Sequence, residues 1–254
     1  MNADALAQQA RAYQPPASLL AGRSILVTGA GQGLGRAVAL ACAQAGATVA
    51  LLGRKVEKLE GTYDAITAAG APQPAMAPID LNAATDADFA NLAQLLRREL
   101  KGLHGIAHCA SHFVPLGPLA NQTLDQWLAL LRVNVAAPVA LTRACLPLLS
   151  ASDASSVVFT GETHGASPRA YWGGFAVAKS ALSTLAAIWG DELERAGKPR
   201  VNVLIPGPIA TPQRAQSHPA EDRASLTRPE ETARAFLFLL GSDSGTANGQ
   251  TLAL

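Results

Sequence analysis

The segment SILVTGAGQGLGRAVALACAQAGA, residues 24–47, constrains this chain more than any other feature. An apolar run ends in Gly29, Gly31, Gly33 and Gly35, and an amphipathic helical pattern begins at once. A strand-to-helix turn stripped of Cβ atoms lets an anion approach the N–H groups of a helix N-terminus, where the helix dipole also attracts it. The alternative is a glycine-rich turn that merely packs helix on strand. The turn follows the first strand of an alternating chain, which favours a dinucleotide contacted by Gly29, Gln32, Gly33, Leu34 and Gly35.

That alternation runs along almost the whole chain. Runs dense in Val, Ile, Leu and Ala fall at Ser24–Thr28, Ala47–Leu52, Ala75–Ile79, Gly105–Cys109, Ser156–Thr160, Arg200–Ile205 and Gln250–Leu254. Strands apolar at every position are buried on both faces, as a parallel sheet covered by helices requires. Helical patterns lie between them at about 34–45, 55–69, 85–101, 123–149, 172–196 and 228–241. Gly46, Gly70 and Gly102 stand where helices should stop, and Thr85 and Thr227 where helices could be capped. The prediction is an α/β chain: a Rossmann-type doubly wound parallel sheet of about seven strands in a single domain. Residues 1–22 read as a leading arm outside the sheet, 23–254 as the domain, and about 207–224 as a flap.

Composition narrows the function classes. The formal net charge is +1, with no run of like charge, so nothing suggests a grip on nucleic acid or an anionic membrane. The first residues lack the apolar core of a signal peptide, and the apolar stretches look too short to cross a bilayer. Three scattered cysteines form no CxxC pair, which argues against disulfides and structural zinc. A cytoplasmic protein is the expectation.

The second strand ends in Gly53-Arg54-Lys55. NAD-binding folds usually place an acid there for the adenosine ribose. Here a guanidinium stands ready to pair with a 2′-phosphate, which favours NADP(H) over NAD(H); the alternative is a solvated pair at a helix start. Arg36 is a second possible phosphate contact.

TGAGQGLG, with Gly29, Gly33 and Gly35 spaced as GxxxGxG, resembles the short-chain dehydrogenase/reductase family, and the similarity runs from about Ser24 to the C-terminus. Asp80-Leu81 matches the family's adenine contact, Asn134 its helix asparagine, Lys179 its lysine, and Pro206-Gly207-Pro208-Ile209-Ala210-Thr211 its nicotinamide-side loop. Ala110 falls in its Asn-Asn-Ala-Gly motif, which here reads His108-Cys109-Ala110-Ser111. The resemblance implies an oxidoreductase with a small-molecule substrate that assembles as a homodimer or homotetramer through its long helices. Asn134 also has a physical story of its own. Its carbonyl should accept from the residue four on, but that residue is Pro138, so the carbonyl is freed at a kink and can hold a water of a proton relay, unless Asn134 merely caps itself.

Besides the altered Asn-Asn-Ala-Gly motif, two of the reacting positions depart from the family pattern. Four residues before Lys179, where the family's general-acid tyrosine stands, is Phe175. The family's serine position is Glu162. A lost general acid is worth roughly 10²–10⁴ in rate. Tyr171 could fold back into the pocket as a substitute, although the upstream position used by divergent enoyl reductases is Trp172. Glu162, with Thr163 and His164, sits where open α/β sheets place ligands and could donate a proton, pair with Lys179 or bind a cation. Lys179 fits cofactor binding better than chemistry. His104, His108 and His112 lack the acids or thiols of a metal shell. Two readings stay open: an NADP(H)-dependent oxidoreductase with a non-standard proton donor built on Tyr171, Glu162 or His164, and a pseudoenzyme that binds NADP(H) as a sensor or structural partner.

Overall fold

The computed structural model describes residues 2–100 and 102–254. Its strands are β1 Ser24–Thr28, β2 Thr48–Gly53, β3 Ala75–Pro78, β4 Gly105–His108, β5 Ser156–Thr160, β6 Arg200–Ile205 and β7 Thr251–Ala253. All pair in parallel, in the order β3-β2-β1-β4-β5-β6-β7. The doubly wound sheet is thus the one the apolar runs imply.

Alternate residues of each strand feed two cores. Ile25, Val27, Val49, Leu51, Val158 and Leu204 face one side, where α1 (Ala3–Ala12), α2 (Gly33–Gln44) and α10 (Pro229–Leu240) pack. Leu26, Leu52, Ile106, Val157, Phe159 and Val203 face the other, against α4 (Asp86–Glu99), α6 (Ala137–Ala151) and α8 (Gly173–Glu192). The remaining helices are α3 (Val56–Ala68), α5 (Leu124–Leu131), α7 (Thr163–Ala166) and α9 (Pro212–Ser217).

Several local expectations are revised. Thr85 does cap α4, in a capping box with Asp88, but Thr227 caps nothing: Arg228 is the N-cap of α10, and Thr227 instead bridges Ile209. The arm before β1 carries a helix. Its α1 lies against α10 and β7, burying Leu6, Ala7 and Ala10, with Tyr13 packed on Phe238 and its hydroxyl donating to Asp243. The helical segment Leu124–Ala151 is in fact long and apolar enough to cross a membrane by length and composition. In this fold Leu130, Val133, Leu141, Cys145 and Leu149 on it are buried. The break at Pro138 is a π-turn over Arg132–Ala136 rather than a kink. With no N–H on Pro138, the ladder shifts by one residue and the Ala137 N–H donates to the Arg132 carbonyl.

Candidate nucleotide and substrate cleft

A cleft of about 880 Å³ opens across the carboxyl ends of the strands, beside the switch point where β1 separates β2 from β4. Gly29, Gln32, Gly33, Leu34, Gly35, Arg54, Asp80, Leu81, Ala110, Lys179, Pro206, Gly207, Ile209 and Thr211 all line it, as do Glu162, His164, Trp172 and Phe175.

The glycine turn forms the floor. Gly29 has φ +68°, and a Cβ there would come within 2.8 Å of the Ala110 Cα. A Cβ on Gly35 would collide with the Gly29 carbonyl, so β1 and α2 meet this closely only without side chains. Gln32 is the N-cap of α2 but makes no side-chain capping bond, which leaves the first N–H groups of that helix facing the cleft without a side-chain acceptor. The Ala110 N–H donates to Thr28 Oγ1 at 3.0 Å and ties the ends of β1 and β4 together. These residues fit a dinucleotide.

Past the end of β2, Arg54 and Lys55 are joined by Lys58, whose ammonium donates to Gln32 Oε1. Lys58 was missed by the motif reading, although it lies close behind Arg54 at the start of α3. Arg36 does not line the cleft. Asp80 accepts from the Asn82 N–H at 3.0 Å, which fixes the turn after β3.

Asn134 is buried and does not line the cleft. Its Oδ1 accepts from Ser111 Oγ and the His112 N–H, both at 3.1 Å, and its Nδ2 donates to the carbonyls of His112 and Leu130 at 2.8 and 2.9 Å. The π-turn therefore holds the loop after β4, and with it Ala110 and Phe113, against the cleft. His104 and His108 serve the sheet: His104 Nδ1 accepts from the Ser24 N–H, and His108 bonds Thr142 while stacking on Phe159. Burial, and then the nearby Lys179, pushes His108 down to about 3, so it stays neutral.

The other end is aromatic. Phe175 is buried, edge-on to Phe113 at 5.1 Å and 6.2 Å from Trp172, on whose ring His164 lies at 4.1 Å. Tyr171 points away. It is 60 % exposed, adopts φ +76° and is absent from the cleft wall. The reason is next door: Gly173, at φ +41°, packs so tightly on Gln122 that no Cβ fits, and this turn seats Trp172 inside.

Lys179 donates to the Thr160 carbonyl at 2.8 Å and stands 5.7 Å over the Phe175 ring. Burial pulls it down to about 8; the charge of Glu162, and then Cys109, pushes back. Among the described residues no ion pair joins Glu162 to Lys179. Burial raises the Cys109 thiol to about 12, so it is no nucleophile at neutral pH. In the cleft wall, Arg214 on α9 grips Glu221 with two bonds of 2.6 Å.

A parallel sheet in this order, a bare glycine turn at its switch point and a lysine facing the same cleft define a class of protein. The chain belongs to the short-chain dehydrogenase family, whose profile matches residues 23–222. Members of this family are oxidoreductases that bind nicotinamide cofactors. The chain is 38% identical over 239 residues to the uncharacterized oxidoreductase YciK of Escherichia coli K12, with 94% of each chain covered. Two solved structures are also similar. A short chain dehydrogenase from Salmonella enterica serovar Typhi CT18 is 38% identical with a TM-score of 0.92, over 95% of this chain and 99% of that one. One from Escherichia coli CFT073, complexed with NADPH, is 38% identical with a TM-score of 0.91, over 94% and 99%.

Proposed function

We propose that this protein is an NADP(H)-dependent oxidoreductase whose ionisable group at the reacting end is Glu162 in place of the family's tyrosine. The cations at the adenosine end carry the reading. Arg54, Lys55 and Lys58 line the cleft past β2, where an NAD site would need a carboxylate. The NADPH held by the Escherichia coli CFT073 relative supports it. Gly29, Gln32, Gly33, Leu34 and Gly35 would hold the pyrophosphate, and Asp80 and Leu81 the adenine. Ala110, Pro206, Gly207, Ile209 and Thr211 would line the nicotinamide, and Lys179 its ribose. When bound, the cofactor supplies or accepts hydride at the nicotinamide ring.

The protein's own share is to seat a small substrate among Phe113, Trp172 and Phe175 with Glu162 at its side. Phe175 has no proton to give, and Tyr171 faces outward. Asn134 is a positioning residue that steadies the loop after β4. One observation favours the second reading, a pseudoenzyme that binds NADP(H) as a sensor: the Lys179 ammonium is already engaged by a carbonyl and a ring, an arrangement suited to binding.

Fluorescence titration with NADPH and NADH tests the cofactor. NADPH should bind at least about tenfold tighter, and Arg54→Ala should erase most of that margin. Failure of both cofactors to bind would remove both readings. Assembly as a homodimer or homotetramer is supported by Leu124, Leu128, Val177 and Ile188, which are exposed on α5 and α8. Sedimentation equilibrium reads the subunit number, and a monomer would refute it.

A further inference from the structure

We infer that the substrate pocket is built for a planar ligand with a positive charge on nitrogen, an iminium, with Glu162 as its counter-ion. The chemistry rests on the oxidoreductase reading above; the binding does not.

The first observation is Glu162 itself. It lies two residues past the end of β5 and is half-buried in the cleft wall, and its charge is felt by both Lys179 and Arg214. Both of those cations are engaged elsewhere: Arg214 by Glu221, Lys179 by the Thr160 carbonyl. Among the described residues, the Glu162 carboxylate has neither an ion pair nor a hydrogen-bond donor. A carboxylate half removed from water gains from a cation that comes to it.

The second observation is the aromatic wall of the same cleft. Phe113, Trp172 and Phe175 pack on one another at centroid distances of 5.1–6.3 Å and together line one end of the cleft. Aromatic faces carry negative potential and attract cations, planar ones especially. Phe175 already does this for Lys179. A neutral, purely apolar ligand would gain the same area but leave Glu162 unpaired.

The missing acid then has an explanation. A ketone needs a proton for its developing alkoxide, and Phe175 has none. An iminium needs none: hydride from NADPH, the reductant, bonds to carbon, the C=N pair becomes the nitrogen lone pair of the amine, and NADP⁺ is released. Atoms and charge balance without a proton from the protein.

The decisive experiment is calorimetric titration of the full chain, with and without saturating NADPH, using an inert cation and its neutral twin. The cation is N,N-dimethyl-1,2,3,4-tetrahydroisoquinolinium, and the twin is 2,2-dimethyltetralin. The cation should bind at least about tenfold tighter, Glu162→Gln should abolish that margin, and Trp172→Leu should weaken the cation alone. NADPH consumption with N-methyl-3,4-dihydroisoquinolinium should outpace that with 1-tetralone by a similar factor. Equal binding of the two twins, an undiminished margin in folded Glu162→Gln protein, or equally fast ketone reduction would overturn the inference. If NADPH fails to bind, the oxidoreductase reading falls, and the cofactor-free arm still decides what the pocket holds.

Discussion

Lys179 is a buried cation whose partners are a carbonyl and an aromatic face, and that company sets how it responds to pH. Burial lowers its affinity for a proton to about 8, so the ammonium is present below that pH and is lost above it. A cofactor carrying several negative charges loses one attraction when the proton leaves. NADPH affinity should therefore fall by roughly three- to tenfold between about pH 7 and 9.5 and stay flat in Lys179→Met. Titrations across that range check it; a flat wild-type profile would mean that Lys179 keeps its charge or does not face the cofactor. His108 contributes nothing to such a profile, being neutral throughout, and its imidazole serves as a packed ring beneath the cleft.

At the scale of elements, the β1–α2 turn is where fold and site are the same object. Gly35→Ala would drive a Cβ into the Gly29 carbonyl, prising the helix off the strand. The expected cost is about 1–3 kcal/mol of stability, seen in urea melts, with NADPH binding weakened at least about tenfold. If the variant bound and melted like wild type, the close approach of α2 to β1 would be wrong. This turn was legible from sequence because its chemistry is local: glycine spacing and strand–helix alternation lie within one stretch of chain. Pro138 was legible in the same way, since a residue without an N–H must interrupt the ladder. That the break is a π-turn was not, because the one-residue shift is settled by what Asn134 finds across the fold, at Ser111 and His112. Tyr171 and Trp172 show the same limit. Which of them enters the cleft depends on Gln122, 52 residues before the Gly174 N–H it accepts from, and no spacing rule reports that contact. Phe113 lies in an irregular loop and joins the aromatic wall only through tertiary packing.

For the whole molecule, α1 is the piece that no family motif calls for. It lies outside the sheet, away from the cleft lining, and covers α10 and β7. Removing residues 2–13 should uncover Phe238 and the contacts of Leu6, costing about 2–4 kcal/mol, while NADPH affinity stays within about threefold. Thermal melts with and without NADPH separate the two effects; a large loss of affinity would tie α1 to the cleft after all. The docking of α1 also carries a consequence for biosynthesis. A ten-residue helix is too short to persist alone in water. The ribosome makes it well before the surface that holds it, at residues 229–240. Until that surface has emerged Leu6 and Ala10 have nowhere to go, so this segment of the nascent chain waits unstructured while β1 to β6 are being made.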